Sequence, residues 1–470
     1  MVEPQSEPGV DVVVFGASGD LASRKIIPAL GRLASRWQVR LIGAGRSDLT
    51  RRQFQDVVAS SAGDGALASA ADWTRLDYGA DESYGGLRDA IAVDRRPVVF
   101  YLATPPSVFP LILNALNESG LVRRGDPNRV VVEKPFGHDL ASAVALNRQL
   151  SQLFDESQIY RIDHYLGKDT VQNVVAFRFS NPLFESVWNR NTIGSIQITA
   201  AEEIDIVERA GYYDEVGAVR DMIQNHLLQI LALIAMEAPS SMDPIDVRAA
   251  KHALLRAVEP LNPATSVAGQ YDGYLAAKGV PAASRRETYA AAKVSIENWR
   301  WQEVPIFVRT GKALLRQATE VTIRLKDAPH LELAGQALES IPTLIAFRFQ
   351  PDEGIVLRIG AKVPGPDFEM VPADLRFDYR DVAKEPLPDA YENVLGEILE
   401  GGQSGFPGPD EIERSWEIVD PLLSAWESRG RPHVYARGSW GPAAADELIA
   451  AQGGGRWIDS ARDLSRLGSG

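Results

Sequence analysis

The feature that most restricts this chain is a run near its start, VDVVVFG at 10–16, followed at once by ASGDLASRK. The apolar residues of the run do not alternate with polar ones, so such a strand must be covered on both faces. Gly16 and Gly19 then turn the chain into DLASRKIIPALGRLASR (20–36), which reads as a helix. Further buried strands are predicted at 39–45 (VRLIGAG), 97–103 (PVVFYLA) and 129–134 (RVVVEK). Strand–helix alternation of this kind implies an α/β, Rossmann-like, doubly wound parallel sheet.

Beyond about residue 165 the texture changes. SIQITAAEEI, TEVTIRLK, TLIAFRFQ, GIVLRIGAKV and ADLRFDYR alternate apolar and polar residues. They predict a large, mainly antiparallel sheet with helices, an α+β second domain. The expected division is 1–163 for a nucleotide-binding domain and 164–470 for a substrate-binding and dimerisation domain. The fold type suggests the outer face of the large sheet as the interface of a homodimer or homotetramer. With 470 residues there is ample chain for two cores. The first residues read as a disordered lead, and the glycine-punctuated tail from 450 as partly loose.

The formal net charge of −14 argues against nucleic acid and acidic membranes as partners. No apolar run approaches the ~20 residues of a membrane span. Absence of cysteine excludes disulfides, thiolate nucleophiles and zinc–thiolate sites, and the simplest location is cytoplasmic. No metal spacing is visible. If the substrate is an anion, its site must gather positive charge against the overall field.

In GASGDL, the residues Gly16, Ala17, Ser18, Gly19, Asp20 and Leu21 form a strand-to-helix turn suited to a pyrophosphate. The spacing G-x-x-G-x-x-A departs from the usual G-x-G-x-x-G, and alone it fits a plain βα turn as well. After the second strand, Arg46 and Ser47 stand where an NAD-selecting acid belongs, with Asp48 next. Arginine suits a 2′-phosphate, which favours NADP. Three polar stretches follow. EKPFG carries Lys134 at a strand end, RIDHYLGK packs Asp163, His164, Tyr165 and Lys168 together, and RDMIQNHLLQ places Asp221 and His226 on an otherwise apolar helix. Alone, His226 reads as a core histidine or as a base.

GASGDLA, EKPFG, RIDHYLGK, GYYDEVGAVRDMIQNHLLQ and VPIFVRTGKAL, in this order, resemble the glucose-6-phosphate dehydrogenase family. DAYENVLGEILEG, ERSWEIVDPLL and YARGSWGP extend the likeness to about residue 445. The resemblance implies NADP-dependent oxidation of glucose 6-phosphate at C1, the first step of the oxidative pentose phosphate pathway. It assigns His226 as general base and Asp163 as its carboxylate partner. It gives His164, Tyr165 and Lys168 to the phosphate, Glu202, Asp221 and Lys312 to the sugar, and Lys134 to sugar and cofactor. Glu203 is an equally plausible neighbour of Glu202, and Pro135 is expected in the cis form. An extended Asp163–His164 pair would point to opposite sides, one toward the base and one toward the phosphate. Arg46, Lys134, His164, Lys168 and Lys312 together would supply a basic pocket. Gln317 departs from the family's basic residue, with Arg316 beside it, so a different hexose phosphate is the alternative substrate. A catalytically silent NADP-binding redox sensor is the alternative without chemistry.

Overall fold

The computed structural model describes residues 9–464 apart from 64, 93–95, 207–209, 329–331, 334–335, 338–340, 367, 384–386 and 429. The expected N-terminal lead (1–8) and the last residues of the tail (465–470) lie outside them. The chain forms two compact units. One comprises the chain up to Lys168 with Ser241–Arg248 and Pro388–Glu413; the other comprises Asp169–Ser240, Ala249–Leu387 and the chain from Arg414.

The first unit is built on six strands: β1 Val10–Phe15, β2 Val39–Gly45, β3 Asp72–Arg75, β4 Val98–Leu102, β5 Arg129–Val132 and β6 Ile159–Arg161. Their order is β3-β2-β1-β4-β5-β6, all parallel. The doubly wound expectation is met, and every residue of β1 is buried because helices cover both faces. One helix of that cover comes from far along the chain: Tyr391, Val394, Leu395 and Ile398, from Ala390–Glu400, join the core with Val12 and Leu30. The strand order reverses between β1 and β4, and ligands of open α/β sheets bind at such a point.

The second unit carries a nine-stranded sheet. Its strands are β7 Ile193–Ala201, β8 Ser266–Tyr271, β9 Tyr289–Val294, β10 Ile306–Gly311 and β11 Ala318–Leu325. After a small separate pair, β12 Glu332–Leu333 and β13 Gln336–Ala337, come β14 Leu344–Gln350, β15 Gly354–Lys362, β16 Met370–Asp378 and β17 His433–Tyr435. The order is β16-β15-β14-β11-β7-β10-β9-β8-β17. Pairing is mainly antiparallel, as expected, but β7 runs parallel to β10 and β17 parallel to β8. The tail is better anchored than its glycines suggest. Gln197 on β7 bonds the backbone of Arg456 and Ile458, and buried Glu320 on β11 accepts from Ser460.

Within this unit the segment Val219–Ala235 forms one continuous buried helix, the first half with i→i+5 hydrogen bonding (Val219–Leu227) and the second an α-helix (Leu228–Ala235). Its last carbonyls cannot reach water, so side chains must satisfy them. Arg178 donates to the oxygens of Leu233 and Met236, both at 2.8 Å. Trp188 Nε1 donates to Ile234 at 2.8 Å, and Trp301 Nε1 to Ala235 at 2.7 Å. Burial lowers the Arg178 guanidinium to a pKa of about 10, with Glu185, 3.2 Å away, opposing that fall. Arg178→Leu is therefore expected to cost about 3–5 kcal/mol, since it strands both buried carbonyls, while Glu185 keeps its second partner Arg300 at 2.9 Å. Urea unfolding followed by tryptophan fluorescence and circular dichroism measures this loss.

Candidate active site

The glycine turn closes β1 at the reversal point. Gly16 N–H donates to Ala44 O at 2.7 Å, and Gly19 N–H to Gly16 O at 2.9 Å. Gly16 has φ +82°, and a Cβ there would lie 2.7 Å from the Ala103 carbonyl oxygen, just past β4. Glycine is thus required for the turn to pack against the end of β4, and this packing sets the backbone N–H groups at the N-terminus of the helix that begins at Asp20 and Leu21.

After β2, Ser47 Oγ meets Ser18 Oγ of the glycine turn at 2.9 Å. The Arg46 guanidinium lies 5.8 Å from the centroid of the Tyr78 ring. Burial raises the Tyr78 phenol, with the Arg46 charge opposing. Asp48, the residue that complicated the cofactor choice, faces Arg75 at 3.4 Å. Its negative charge is partly answered there, while Arg46 sits over an aromatic ring. Tyr78 and Arg75 carry no motif, and sequence reasoning passed over both.

At the end of β5 the Lys134–Pro135 peptide is cis, as expected. Beside it Glu133 is buried and accepts from Tyr101 OH at 2.6 Å. Burial pushes the Glu133 carboxyl up; hydrogen bonds from Tyr101 and Tyr391 and the Lys134 charge pull it down. Tyr391 also stacks on His164, rings 5.9 Å apart and 15° from parallel. The DAYENVLGEILEG segment thus contributes an aromatic wall that its resemblance alone did not reveal.

RIDHYLGK is not extended at its centre. Asp163 is buried and its Oδ1 accepts the Tyr165 N–H at 3.0 Å, while its carbonyl accepts the Leu166 N–H at 3.0 Å. The aspartate closes a tight turn through its own side chain, an arrangement typical of Asp, and this replaces the expected alternation. The turn gathers the polar side chains on one aromatic base. The His164 and Tyr165 rings are 5.0 Å apart, and Lys168 Nζ stands 4.6 Å from the Tyr165 centroid.

In the second unit, Glu202 follows β7, Lys312 follows β10, and Asp221 opens the buried helix. Lys312 Nζ binds the Glu202 carboxylate and lies 3.0 Å from Asp221 Oδ2. Burial lowers the Lys312 ammonium, but the charges of Asp221 and Glu202 more than offset this, so its pKa is raised. Two carboxylates over-neutralise one ammonium here. Within this half, Lys312 is not a free positive charge, which corrects the expected basic role. Arg316 is likewise committed: its guanidinium lies 2.5 Å from Asp459 and 3.8 Å from Glu320.

His226 is fully buried, and so are Gln224, Asn225 and the leucines around it. The expected picture of one apolar face and one pocket edge therefore gives way to a helix covered on all sides along 222–236. Its geometry matters more than its exposure. Leu228 N–H donates to Ile223 O, five residues back. On a 3.6-residue turn, side chains five apart stand about 140° apart. With i→i+5 bonding, at roughly 4.4 residues per turn, they stand about 50° apart. Asp221 and His226 are five apart and so share a face, which a 3.6-period wheel hides.

Among the described residues no group of three or more His, Asp or Glu could hold a metal, and no helix is long and apolar enough to cross a membrane.

Two family models together match nearly the whole chain: glucose-6-phosphate dehydrogenase, NAD binding domain, over 13–173, and glucose-6-phosphate dehydrogenase, C-terminal domain, over 175–458. Glucose-6-phosphate 1-dehydrogenase 2 of Mycobacterium tuberculosis is 40% identical over 94% of this chain and 93% of its own length. The glucose-6-phosphate 1-dehydrogenase of Aggregatibacter actinomycetemcomitans is 41% identical, over 94% and 96%. A solved glucose-6-phosphate dehydrogenase in complex with its substrate glucose 6-phosphate superposes with a TM-score of 0.89 at 33% identity, covering 97% of this chain and 99% of that one. The Mycobacterium avium enzyme superposes at 0.86 and 37% identity, covering 96% and 98%. The Gly16 cradle yields its own test: Gly16→Ala meets both a positive φ and the Ala103 oxygen. It is expected to weaken nicotinamide dinucleotide binding at least ~10-fold with little change in sugar phosphate affinity, read by fluorescence titration.

Proposed function

This chain belongs to the glucose-6-phosphate dehydrogenase family, and from that premise we propose that it oxidises D-glucose 6-phosphate at C1 to 6-phospho-D-glucono-1,5-lactone with NADP, using His226 as general base. The observation that carries the chemistry is the i→i+5 turn, which turns His226 and Asp221 to one side while Asp221 and Glu202 hold Lys312. In this reading Glu202, Asp221 and Lys312 bind sugar hydroxyls. An ammonium flanked by two carboxylates suits neutral hydroxyls better than a phosphate. His164, Tyr165 and Lys168 take the phosphate, a role that the Lys168 ammonium over the Tyr165 ring, with the His164 ring beside it, supports.

The cofactor fit rests on this chain's own groups. The backbone around Gly16, Ala17, Ser18, Gly19, Asp20 and Leu21 would hold the pyrophosphate, and Arg46 the 2′-phosphate. When bound, the nicotinamide supplies the hydride acceptor. Lys134 would hold the sugar in line for it. His226 takes the C1 hydroxyl proton as hydride departs, and Asp163 is assigned to support the resulting imidazolium. Residues 1–163 serve the cofactor and 164–470 the sugar. The same reading makes the outer sheet face the interface of a homodimer or homotetramer, supported by Ile359 and Leu375, which stay exposed on β15 and β16.

A second reading, oxidation of another hexose phosphate, is favoured by Gln317 together with the commitment of Arg316 to Asp459. Initial rates across a panel of hexose phosphates decide between them. His226→Asn is expected to lower kcat ~10²–10⁴-fold in an assay of NADP reduction by glucose 6-phosphate. A variant as fast as wild type removes His226 from the mechanism. Arg46→Ala should raise KM for NADP far more than for NAD, and equal losses would refute its assignment.

A further inference from the structure

The Val219–Ala235 helix has satisfied carbonyls at its far end; its near end raises the question of what fixes Asp221 and His226. Helix N-termini leave N–H groups without intrahelical partners, and when buried they need an acceptor. Here the acceptor comes from a distant segment. Val219 N–H donates to the Glu287 carboxylate at 3.3 Å, and Ala218 N–H to the Glu287 carbonyl at 3.1 Å. Glu287 is buried and sits just before β9.

The chain is shaped to admit this carboxylate. Gly217 breaks the preceding helix with φ 78° and ψ 170°, and a Cβ at that position would overlap the Glu287 carboxylate. Arg286 lies 3.7 Å from its second oxygen. A negative charge also complements the positive end of the helix dipole.

The next residue reaches the other side of the sugar-binding cluster. Thr288 O accepts the Lys312 N–H at 2.9 Å. Tyr435 OH donates to Lys312 O at 2.7 Å and lies 3.2 Å from Thr288 O. One dipeptide therefore holds the turn bearing Asp221 through Glu287 and the loop bearing Lys312 through Thr288. Asp221 and Lys312 meet at 3.0 Å between these two anchors.

We propose that Glu287 is a positioning residue for the oxidation: its carboxylate seats the first turn of the buried helix, and so sets where Asp221 and His226 stand relative to Lys312. The proposal rests on His226 and Asp221 having the roles given above. Glu287 touches neither the sugar nor the coenzyme in this scheme and acts only through the helix.

The test compares Glu287→Ala, Glu287→Gln and His226→Asn in the full-length protein, with rates normalised to folded protein by circular dichroism. Glu287→Ala removes the acceptor; it is expected to lower kcat/KM for glucose 6-phosphate at least ~10-fold, with kcat falling and the sugar KM rising. KM for NADP should stay within about twofold, because the coenzyme turn is built by other strands. Glu287→Gln keeps an oxygen for Val219 N–H and should recover most of the loss. If Glu287→Ala yields no folded protein, Glu287→Asp replaces it: it keeps the charge but withdraws the oxygen by one methylene, and the same split is expected. Folded variants with wild-type parameters overturn the proposal. So does a loss shared equally by sugar and coenzyme, or one that glutamine does not recover. A His226→Asn variant as fast as wild type overturns the catalytic reading beneath it, whereas a slow His226→Asn beside wild-type Glu287 variants overturns the positioning role alone.

Discussion

A helix enclosed in apolar surroundings is only as well placed as its two ends, because no water is present to satisfy them. The Val219–Ala235 helix meets this constraint with opposite charges: the Arg178 guanidinium on its last carbonyls and the Glu287 carboxylate on the N–H of Val219. Both signs match the dipole of the helix. Trp188 and Trp301 add neutral donors, so four successive carbonyls from Leu233 to Met236 are engaged. Everything that Asp221 and His226 do depends on that seating. The ends of β7 and β10 are tied to the same frame, since Glu202 N–H donates to Gly311 O and Leu314 N–H to Glu202 O.

Charge is apportioned with economy in a chain of net charge −14. Cations in the second unit are mostly committed to carboxylates, Lys312 to two of them. In the first unit Lys168 and Arg46 lie against aromatic rings, and the His164 ring stacks on Tyr391. An aromatic face attracts a cation through its quadrupole and adds no countercharge of its own. The acidic character of the whole molecule and the anionic nature of its substrate are thus compatible through local arrangement.

The parallel sheet was legible because buried strands such as VDVVVFG write their environment as unbroken apolar runs. The alternating strands of the second sheet were legible for the complementary reason. β3 (DWTR) and β6 (IYR) were not, being short and lacking a pattern of either kind. The attachment of Tyr391 to the first core was invisible because it joins residues more than two hundred apart. At the site, the motifs carried the proposed roles, but two arrangements escaped. The i→i+5 turn follows from no propensity and breaks the assumed period. Glu287, in RRETYAA, looks like an ordinary charged lead into a strand until the burial of its carboxylate is seen.

The wide turn also bears on how this enzyme can be altered. A helix with i→i+5 bonding accommodates an extra residue within a given length. Removing one residue between 221 and 226 would let the segment relax to the commoner, better-bonded α form. The two residues would then be four apart, about 40° round a 3.6-residue turn, and would still share a face. Regularising the turn with every residue kept would instead leave them about 140° apart and carry the imidazole away from Asp221. In this helix, conformational regularity and catalytic alignment pull in opposite directions, and efforts to harden the protein should leave the irregular turn alone.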